Sequence, residues 1–249
     1  MLRQTLRPAQ LRCLRARPIS RPVARVGLVR PYSDTFTSNT KKDNRSSQDP
    51  AQTTQADSIS SVIKEDHREI ERYYDKIVKS NDPDTQRRYQ NAFVWELTRH
   101  AIAEELVVYP MMETGVSNGK QIADKDRAEH QVTKEALYKF QNLSPADKDF
   151  IPTLESLMVD LKQHIKEEEE EDLVKLEEAL LPRKSKDLAD QFEMTKSFTP
   201  TRSHPSAPNK PPFETAVSLM SAPLDKLRDI FRAWPNEPGR RPPSGGPAR

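Results

Sequence analysis

Apolar residues between positions 57 and 181 recur at steps of three and four, which is the period of amphipathic α-helices. Turn-forming residues cluster in the breaks between these periodic stretches, and the only glycines of the span are Gly115 and Gly119. The pattern therefore predicts an all-α fold with four long helices, over about 58–78, 84–110, 122–141 and 150–180. We expect Asp57 or Ser58 to cap the first helix, Asp84 to cap the second, and Pro110 to end it.

Four of the five histidines interrupt the apolar faces of these helices, one on each helix: His67, His100, His130 and His164. If an apolar face covers about 100° of a helix, four such placements by chance have a probability of roughly 0.01. A single buried imidazole is usually an ordinary core residue, but four of them need many hydrogen-bond partners, which an aliphatic interior does not offer. Metal ions satisfy this need.

Two of the histidines have a glutamate one turn later, Glu104 after His100 and Glu168 after His164. Side chains at i and i+4 of a helix stand about 5–6 Å apart, so each pair forms a two-ligand clamp. Nitrogen and oxygen donors without sulfur favour iron, manganese or zinc over calcium and magnesium. Together with the two other histidines, the clamps suit two carboxylate-bridged ions. The predicted metal ligands are His67, His100, Glu104, His130, His164 and Glu168.

The two HxxxE motifs, with Glu105 and Tyr109-Pro110 after the first, resemble the hemerythrin-like HHE cation-binding domain over about residues 57–181. Asp66-His67-Arg68 and Glu129-His130 are also similar to that family's positions. The resemblance implies an up-and-down four-helix bundle with a non-haem centre of two iron ions, bridged by Glu104 and Glu168. It also implies binding of O₂ or of another small diatomic or peroxide ligand.

The sequence departs from that family on the third helix, where hemerythrins place a second imidazole one turn after the first. The position four residues after His130 is Lys134, whose ammonium we expect to extend to the rim of the site. On the fourth helix, the ligand could be Glu168 or Glu169. Water or another side chain could complete the coordination, and the candidates are Glu129, Glu135 and His204.

The flanking segments differ in composition from the bundle. Residues 1–33 contain eight arginines and no acidic residue, which is typical of a mitochondrial transit peptide and predicts a matrix location, with cleavage near Tyr32. The alternative is a basic arm for nucleic acid or anionic lipid. Residues 34–56 are polar and predict a disordered linker.

The segment 182–249 contains twelve prolines and is predicted to be a mostly extended tail, with short helices near 186–197 and 223–233. Its second helix carries an amphipathic stripe. We expect this stripe to dock on the bundle, with a protein partner or a membrane surface as the alternative. The stripe consists of Leu224, Leu227, Ile230, Phe231 and Trp234.

Several functional classes are excluded by composition and motifs. The single cysteine, Cys13, excludes a disulfide scaffold and a cysteine-ligated metal. The sequence has no apolar run near the ~18 residues that span a bilayer, so we do not expect an integral membrane protein. Acidic residues outnumber basic ones after residue 33, which argues against nucleic-acid binding. None of the four histidines has a glutamate three residues before it, as a ferritin-type site would require.

The leading hypothesis is a mitochondrial non-haem di-iron protein that acts in oxygen, redox or iron homeostasis. A di-iron oxidase or peroxidase is one alternative. A metal-stabilised adaptor whose tail recruits a protein partner is another.

Overall fold

A computed structural model describes residues 57–207 and 213–237, and it describes 213–220 by their backbone alone. The predicted transit peptide and linker lie outside these residues. The described residues contain no strand, which confirms the all-α fold class. The α-helices are α1 Ile59–Val78, α2 Pro83–Ala103, α3 Tyr109–Gly115, α4 Gly119–Gln141, α5 Phe150–Glu167, α6 Leu173–Ala179, α7 Pro182–Lys196 and α8 Phe213–Asp229.

Two π-helical turns join these helices into longer rods. Glu104–Val108 connects α2 to α3, and Glu168–Asp172 connects α5 to α6. The bundle therefore has four rods: α1, α2 with α3, α4, and α5 with α6. Short connections link successive rods, and α1 packs along α2 while α4 packs along α5.

The start of the second rod differs from the sequence prediction. Ser58 caps α1, as predicted, by accepting a hydrogen bond from the Ser61 amide. The cap of α2 is Asp82 rather than Asp84, and its carboxylate accepts from the Thr85 amide at 2.9 Å. Pro83 then occupies the first helical position, where its missing N–H costs nothing.

The prediction that Pro110 ends the second helix is wrong, because α3 continues to Gly115. The preceding π turn explains the difference. The Tyr109 amide donates to the Glu104 carbonyl five residues earlier, so the α-helical hydrogen-bond ladder is already interrupted when the chain reaches Pro110. The same wide turn begins at Glu168 on the other rod, where the Leu173 amide donates to the Glu168 carbonyl.

The turn between α3 and α4 depends on one glycine. Asn118 adopts a left-handed conformation with φ of 58°, and Gly119 opens α4, three residues earlier than predicted. A Cβ atom at Gly119 would lie 1.9 Å from the Met112 carbonyl oxygen. Because that oxygen belongs to the backbone, no side-chain movement relieves the clash.

A layer of polar residues divides the bundle interior into two apolar clusters. The first cluster includes Ile70, Tyr73, Phe93, Phe140, Phe150, Leu154 and Leu157. The second includes Ile59, Ile63, Val108, Tyr109, Met112, Leu173 and Phe192. The four histidines lie between these clusters along each rod. Apolar packing therefore covers the polar layer from both ends of the bundle.

The described part of the tail is mostly helical instead of mostly extended, because α7 and α8 begin earlier than predicted. Its apolar stripe does not dock as predicted: Leu224, Leu227, Ile230 and Phe231 are 41–84% exposed and Trp234 is half-buried, whereas Asp225 and Asp229 in the same segment are buried. Hydrogen bonds anchor this segment instead, including those from Asn91 and Arg88 to the carbonyls of Ala233 and Trp234. Across residues 57–207 and 213–237, no helix combines the length and apolarity needed to cross a membrane.

Gly119→Ala is expected to lower the free energy of unfolding by about 2 kcal/mol or more, because the added methyl forces α3 and α4 apart. Gly115→Ala is the matched control. Its Cβ meets only the Met111 sulfur at 3.9 Å, so it should leave stability unchanged or raise it by up to about 1 kcal/mol. Thermal and urea unfolding measure both variants, and equal stability of the two would contradict this account of the turn.

Candidate metal centre

The structure brings the four predicted histidines together as two pairs at the centre of the polar layer. His67 from α1 and His100 from α2 approach with their Nε2 atoms 3.2 Å apart. His130 from α4 and His164 from α5 do the same at 3.1 Å. All four side chains are buried. Each pair thus joins two neighbouring rods.

The Nδ1 atom of every histidine contacts a carboxylate oxygen. These distances are 2.8 Å for His67 to Glu169, 3.3 Å for His100 to Asp66, 3.2 Å for His130 to Glu105 and 2.8 Å for His164 to Glu129. An ionised carboxylate only accepts hydrogen bonds, so each Nδ1 carries the proton. In the neutral imidazole, Nε2 is then unprotonated and presents its lone pair to the centre.

Glu104 lies between the two histidine pairs. Its Oε1 is 3.3 Å from His100 Nε2, and its Oε2 is 3.4 Å from His130 Nε2. Glu168 groups with the first pair, with its Oε2 3.3 Å from His67 Nε2. Among the described residues, both carboxylates are buried without a hydrogen-bond partner. One group of potential ligands comprises His67, His100, Glu104 and Glu168, and a second comprises Glu104, His130 and His164.

These residues fit two metal ions. Two imidazole nitrogens 3.1–3.2 Å apart need a proton or a metal ion between them, because their lone pairs otherwise repel. With metal–ligand bonds of about 2.1 Å, adjacent ligand atoms lie about 3.0 Å apart around an octahedral ion and about 3.4 Å apart around a tetrahedral one. The observed separations of 3.1–3.4 Å fall in that interval. Glu104 is the residue that could serve both ions.

Each carboxylate that holds an Nδ1 is itself paired with a cation. Arg68 and Lys125 bind Glu169 and Glu129 at the surface. Two buried lysines pair with the other two carboxylates: Lys196 Nζ lies 2.6 Å from Asp66, and Lys134 Nζ lies 2.5 Å from Glu105. Four outer cations thus offset four outer carboxylates. The inner carboxylates, Glu104 and Glu168, are left to the metal.

Burial and neighbouring charges shift the pKa of one histidine in each pair upward and of the other downward. Burial lowers the pKa of His100 well below its ordinary value, and it also lowers the pKa of His130. For His67, the neighbouring Glu168 and Glu169 carboxylates outweigh burial and raise the pKa. The hydrogen bond to Glu129 likewise raises the pKa of His164 against its burial.

The buried carboxylates also respond to one another. Burial, together with the Glu168 charge, raises the pKa of Glu104 well above its ordinary value. For Glu168, the contact with His67 and the charges of the neighbouring imidazoles outweigh burial and lower the pKa of the carboxyl below its ordinary value. A proton therefore competes with a cation for Glu104.

Asp126 is a candidate ligand that the sequence analysis missed. It is buried on α4, neither oxygen has a hydrogen-bond partner among the described residues, and it groups with Glu129 and His164. Burial and Glu168 raise its pKa to about 7. The DxxxH spacing of Asp126 and His130 was the available signal. On α4, the additional candidate ligand therefore lies one turn before His130, at Asp126, and the position one turn after His130 is Lys134.

The other residues considered for the open coordination position lie elsewhere. Lys134 does not reach the rim; it is buried against Glu105 because that carboxylate compensates its charge. His204 does not fold back to the centre, since its Nε2 contacts Asp225 at 3.0 Å. Glu135 is exposed and accepts from Gln131. Glu129 and Glu169 contact histidine Nδ1 atoms.

In the metal-free protein, Asp126 is expected to make stability fall as pH rises. Its pKa of about 7 exceeds the unfolded value of 3.8, so the stabilising protonated form is complete below about pH 4 and is lost through pH 7. The resulting loss is up to about 4 kcal/mol relative to Asp126→Asn. Urea unfolding of the unaltered protein and of Asp126→Asn, both stripped of metal with a chelator, at pH 5 and pH 8 measures this loss of stability. The same change with pH in both proteins would contradict the prediction.

Comparison with known proteins agrees with this geometry. The sequence profile of the hemerythrin HHE cation-binding domain matches residues 58–176. An uncharacterised hemerythrin-like protein of Schizosaccharomyces pombe is 52% identical over 178 residues, which cover 71% of this chain and 88% of the relative. A DNA nickase of Nostoc sp. is 26% identical over 141 residues, or 56% of this chain and 39% of that protein. No solved structure matches significantly. The chain belongs to the hemerythrin HHE cation-binding family.

Proposed function

We propose that this protein binds two iron ions between its histidine pairs and uses them to bind O₂ or a related small oxidant. The observation that carries the proposal is the sharing of Glu104 by two pairs of inward-facing Nε2 atoms. Mixed imidazole and carboxylate donors suit iron, and they also suit manganese or zinc. Bound iron would supply the electrons for reversible binding or reduction of the oxidant.

The chain's own residues would hold and screen such a centre. The outer carboxylates fix the histidine tautomers and aim Nε2 inward. The two apolar clusters limit water on either side of the polar layer. The Tyr109 hydroxyl lies 3.0 Å from His130 Nε2, so it can donate a hydrogen bond to a small ligand beside that histidine.

Tyr109 also favours a second candidate function, a di-iron oxidase or peroxidase. Burial and the charge of Glu104 raise its pKa well above the ordinary value, so the hydroxyl keeps its proton at neutral pH and can donate it to a reduced oxidant. Steady consumption of O₂ or peroxide with an added reductant, lost in Tyr109→Phe, would support this function. Stoichiometric binding without turnover would favour the first.

A third candidate, an adaptor, is favoured by the exposed stripe Leu224, Leu227, Ile230 and Phe231. Large apolar residues that are exposed close together are typical of binding surfaces. In this case the bundle would be a metal-stabilised scaffold. Deleting residues 208–249 would then abolish the cellular activity while metal content stays intact.

We further propose that the protein acts in the mitochondrial matrix. The support is the composition of residues 1–33, with eight arginines and no acidic residue. Fused to a fluorescent protein, this segment is expected to direct import and to be cleaved near Tyr32. A variant with all eight arginines replaced by glutamine is the control and should stay in the cytosol. Cytosolic retention of the unaltered fusion would contradict the proposal.

The metal centre is tested by measuring iron per chain in the full-length protein and its optical spectrum before and after exposure to O₂. The unaltered chain is expected to hold two irons and to change its absorption. Glu104→Gln should lose at least one iron and the spectral change, because the carboxylate shared by both groups is neutralised.

Glu155→Gln is the matched control, since Glu155 is exposed on α5 and should have no role in binding. Equal iron content in both variants would contradict the site. Two ions of manganese or zinc in place of iron would retain the site and reject the iron assignment.

A further inference from the structure

Helix α7 contributes a buried cation to the surroundings of the candidate metal centre. This helix, Pro182–Lys196, lies beyond the residues 58–176 that match the family profile. Its Phe192 is fully buried and packs edge-on against the His100 ring, with centroids 6.0 Å apart. Its last residue, Lys196, is only 1% exposed. The centre therefore has a wall that the family domain does not supply.

The ammonium of Lys196 reaches the carboxylate that orients His100. Lys196 Nζ donates to Asp66 Oδ2 at 2.6 Å, and the same oxygen lies 3.3 Å from His100 Nδ1. Glu96 and Glu193 lie 3.6 and 3.0 Å from the ammonium. Asp66 and Glu96 are both fully buried, so removing Lys196 takes an ammonium from each of them, and Glu96 keeps its contact with Arg99 at 3.8 Å.

The other histidine pair has a parallel arrangement from within the family domain. Lys134 Nζ donates to Glu105 Oε2, while Glu105 Oε1 contacts His130 Nδ1. Removing an ammonium from water costs several kcal/mol, so two buried lysines at equivalent points of the two pairs indicate a shared role. The pairs of Arg68 with Glu169 and of Lys125 with Glu129 cost less to desolvate, because both cations are about half exposed.

We infer that Lys196 is a positioning residue of the metal centre, which holds Asp66 against His100 and thereby fixes the nitrogen that binds the first ion. This inference rests on the proposed metal binding. It extends the functional unit from the four-rod bundle to α7. It also assigns one buried lysine to each ion, Lys196 to the ion at His67 and His100 and Lys134 to the ion at His130 and His164.

The test is anaerobic titration of the full-length chain with Fe(II) in competition with a chromophoric chelator, which gives one binding constant per ion. Lys196→Met alone leaves two buried carboxylates and could unfold the protein, so the variant used is Glu96→Gln with Lys196→Met. Glu96→Gln is its baseline. Lys186→Met is the matched control, because Lys186 is an exposed lysine of the same helix.

The double variant is expected to bind one ion about tenfold to a hundredfold more weakly than its baseline, with the second ion and the helix content unchanged. Lys196→Met should add no further loss when Asp66 is already replaced by asparagine, because the lysine acts through that carboxylate. Lys134→Met should weaken the other ion instead.

Equal binding by the double variant and its baseline would overturn the inference. Loss of both ions together with helix content would also overturn it, since that result indicates a purely structural ion pair. If the unaltered chain and Lys186→Met bind no Fe(II) at all, the proposed function itself fails. These results are distinguishable within one set of titrations.

Discussion

Buried carboxylates and closely paired imidazole nitrogens at the middle of the bundle are the constraint on which the structure depends. Glu104 and Glu168 are buried without hydrogen-bond partners among the described residues, beside four imidazole nitrogens that face one another in pairs. Desolvated groups of this kind are strongly destabilising unless a cation occupies the space between them. Each rod contributes at least one of these groups, so one polar layer joins all four.

Ion pairs around the polar layer leave Glu104 and Glu168 as the carboxylates available to a cation. The carboxylates that hold the histidines are balanced by Arg68, Lys125, Lys134 and Lys196, so they orient the rings without adding net charge. The inner carboxylates, Glu104 and Glu168, contact histidines instead of a lysine or an arginine. A proton and a metal ion therefore compete for the same oxygens, which links the stability of the bundle, its pH dependence and its metal affinity.

The sequence predicted the rods and the six central side chains well, because one helical period governs both. His67 and His100 fall on their apolar faces by spacing alone, and the structure buries both. The predictions that were wrong depend on features that the spacing of apolar residues does not reveal. Pro110 does not end its helix because a π turn precedes it, and the stripe around Leu227 faces outward because hydrogen bonds anchor the tail. Asp126 had a sequence signal in its spacing to His130, whereas the role of Lys196 depends on tertiary packing that places its ammonium against Asp66.

We propose that two metal ions occupy separate positions, one at each histidine pair, with Glu104 between them. Anomalous X-ray diffraction from crystals of the iron-loaded protein, recorded on both sides of the iron absorption edge, tests this directly. We expect two anomalous peaks, one beside His67 and His100 and the other beside His130 and His164. A single peak, or peaks away from these histidines, would contradict it.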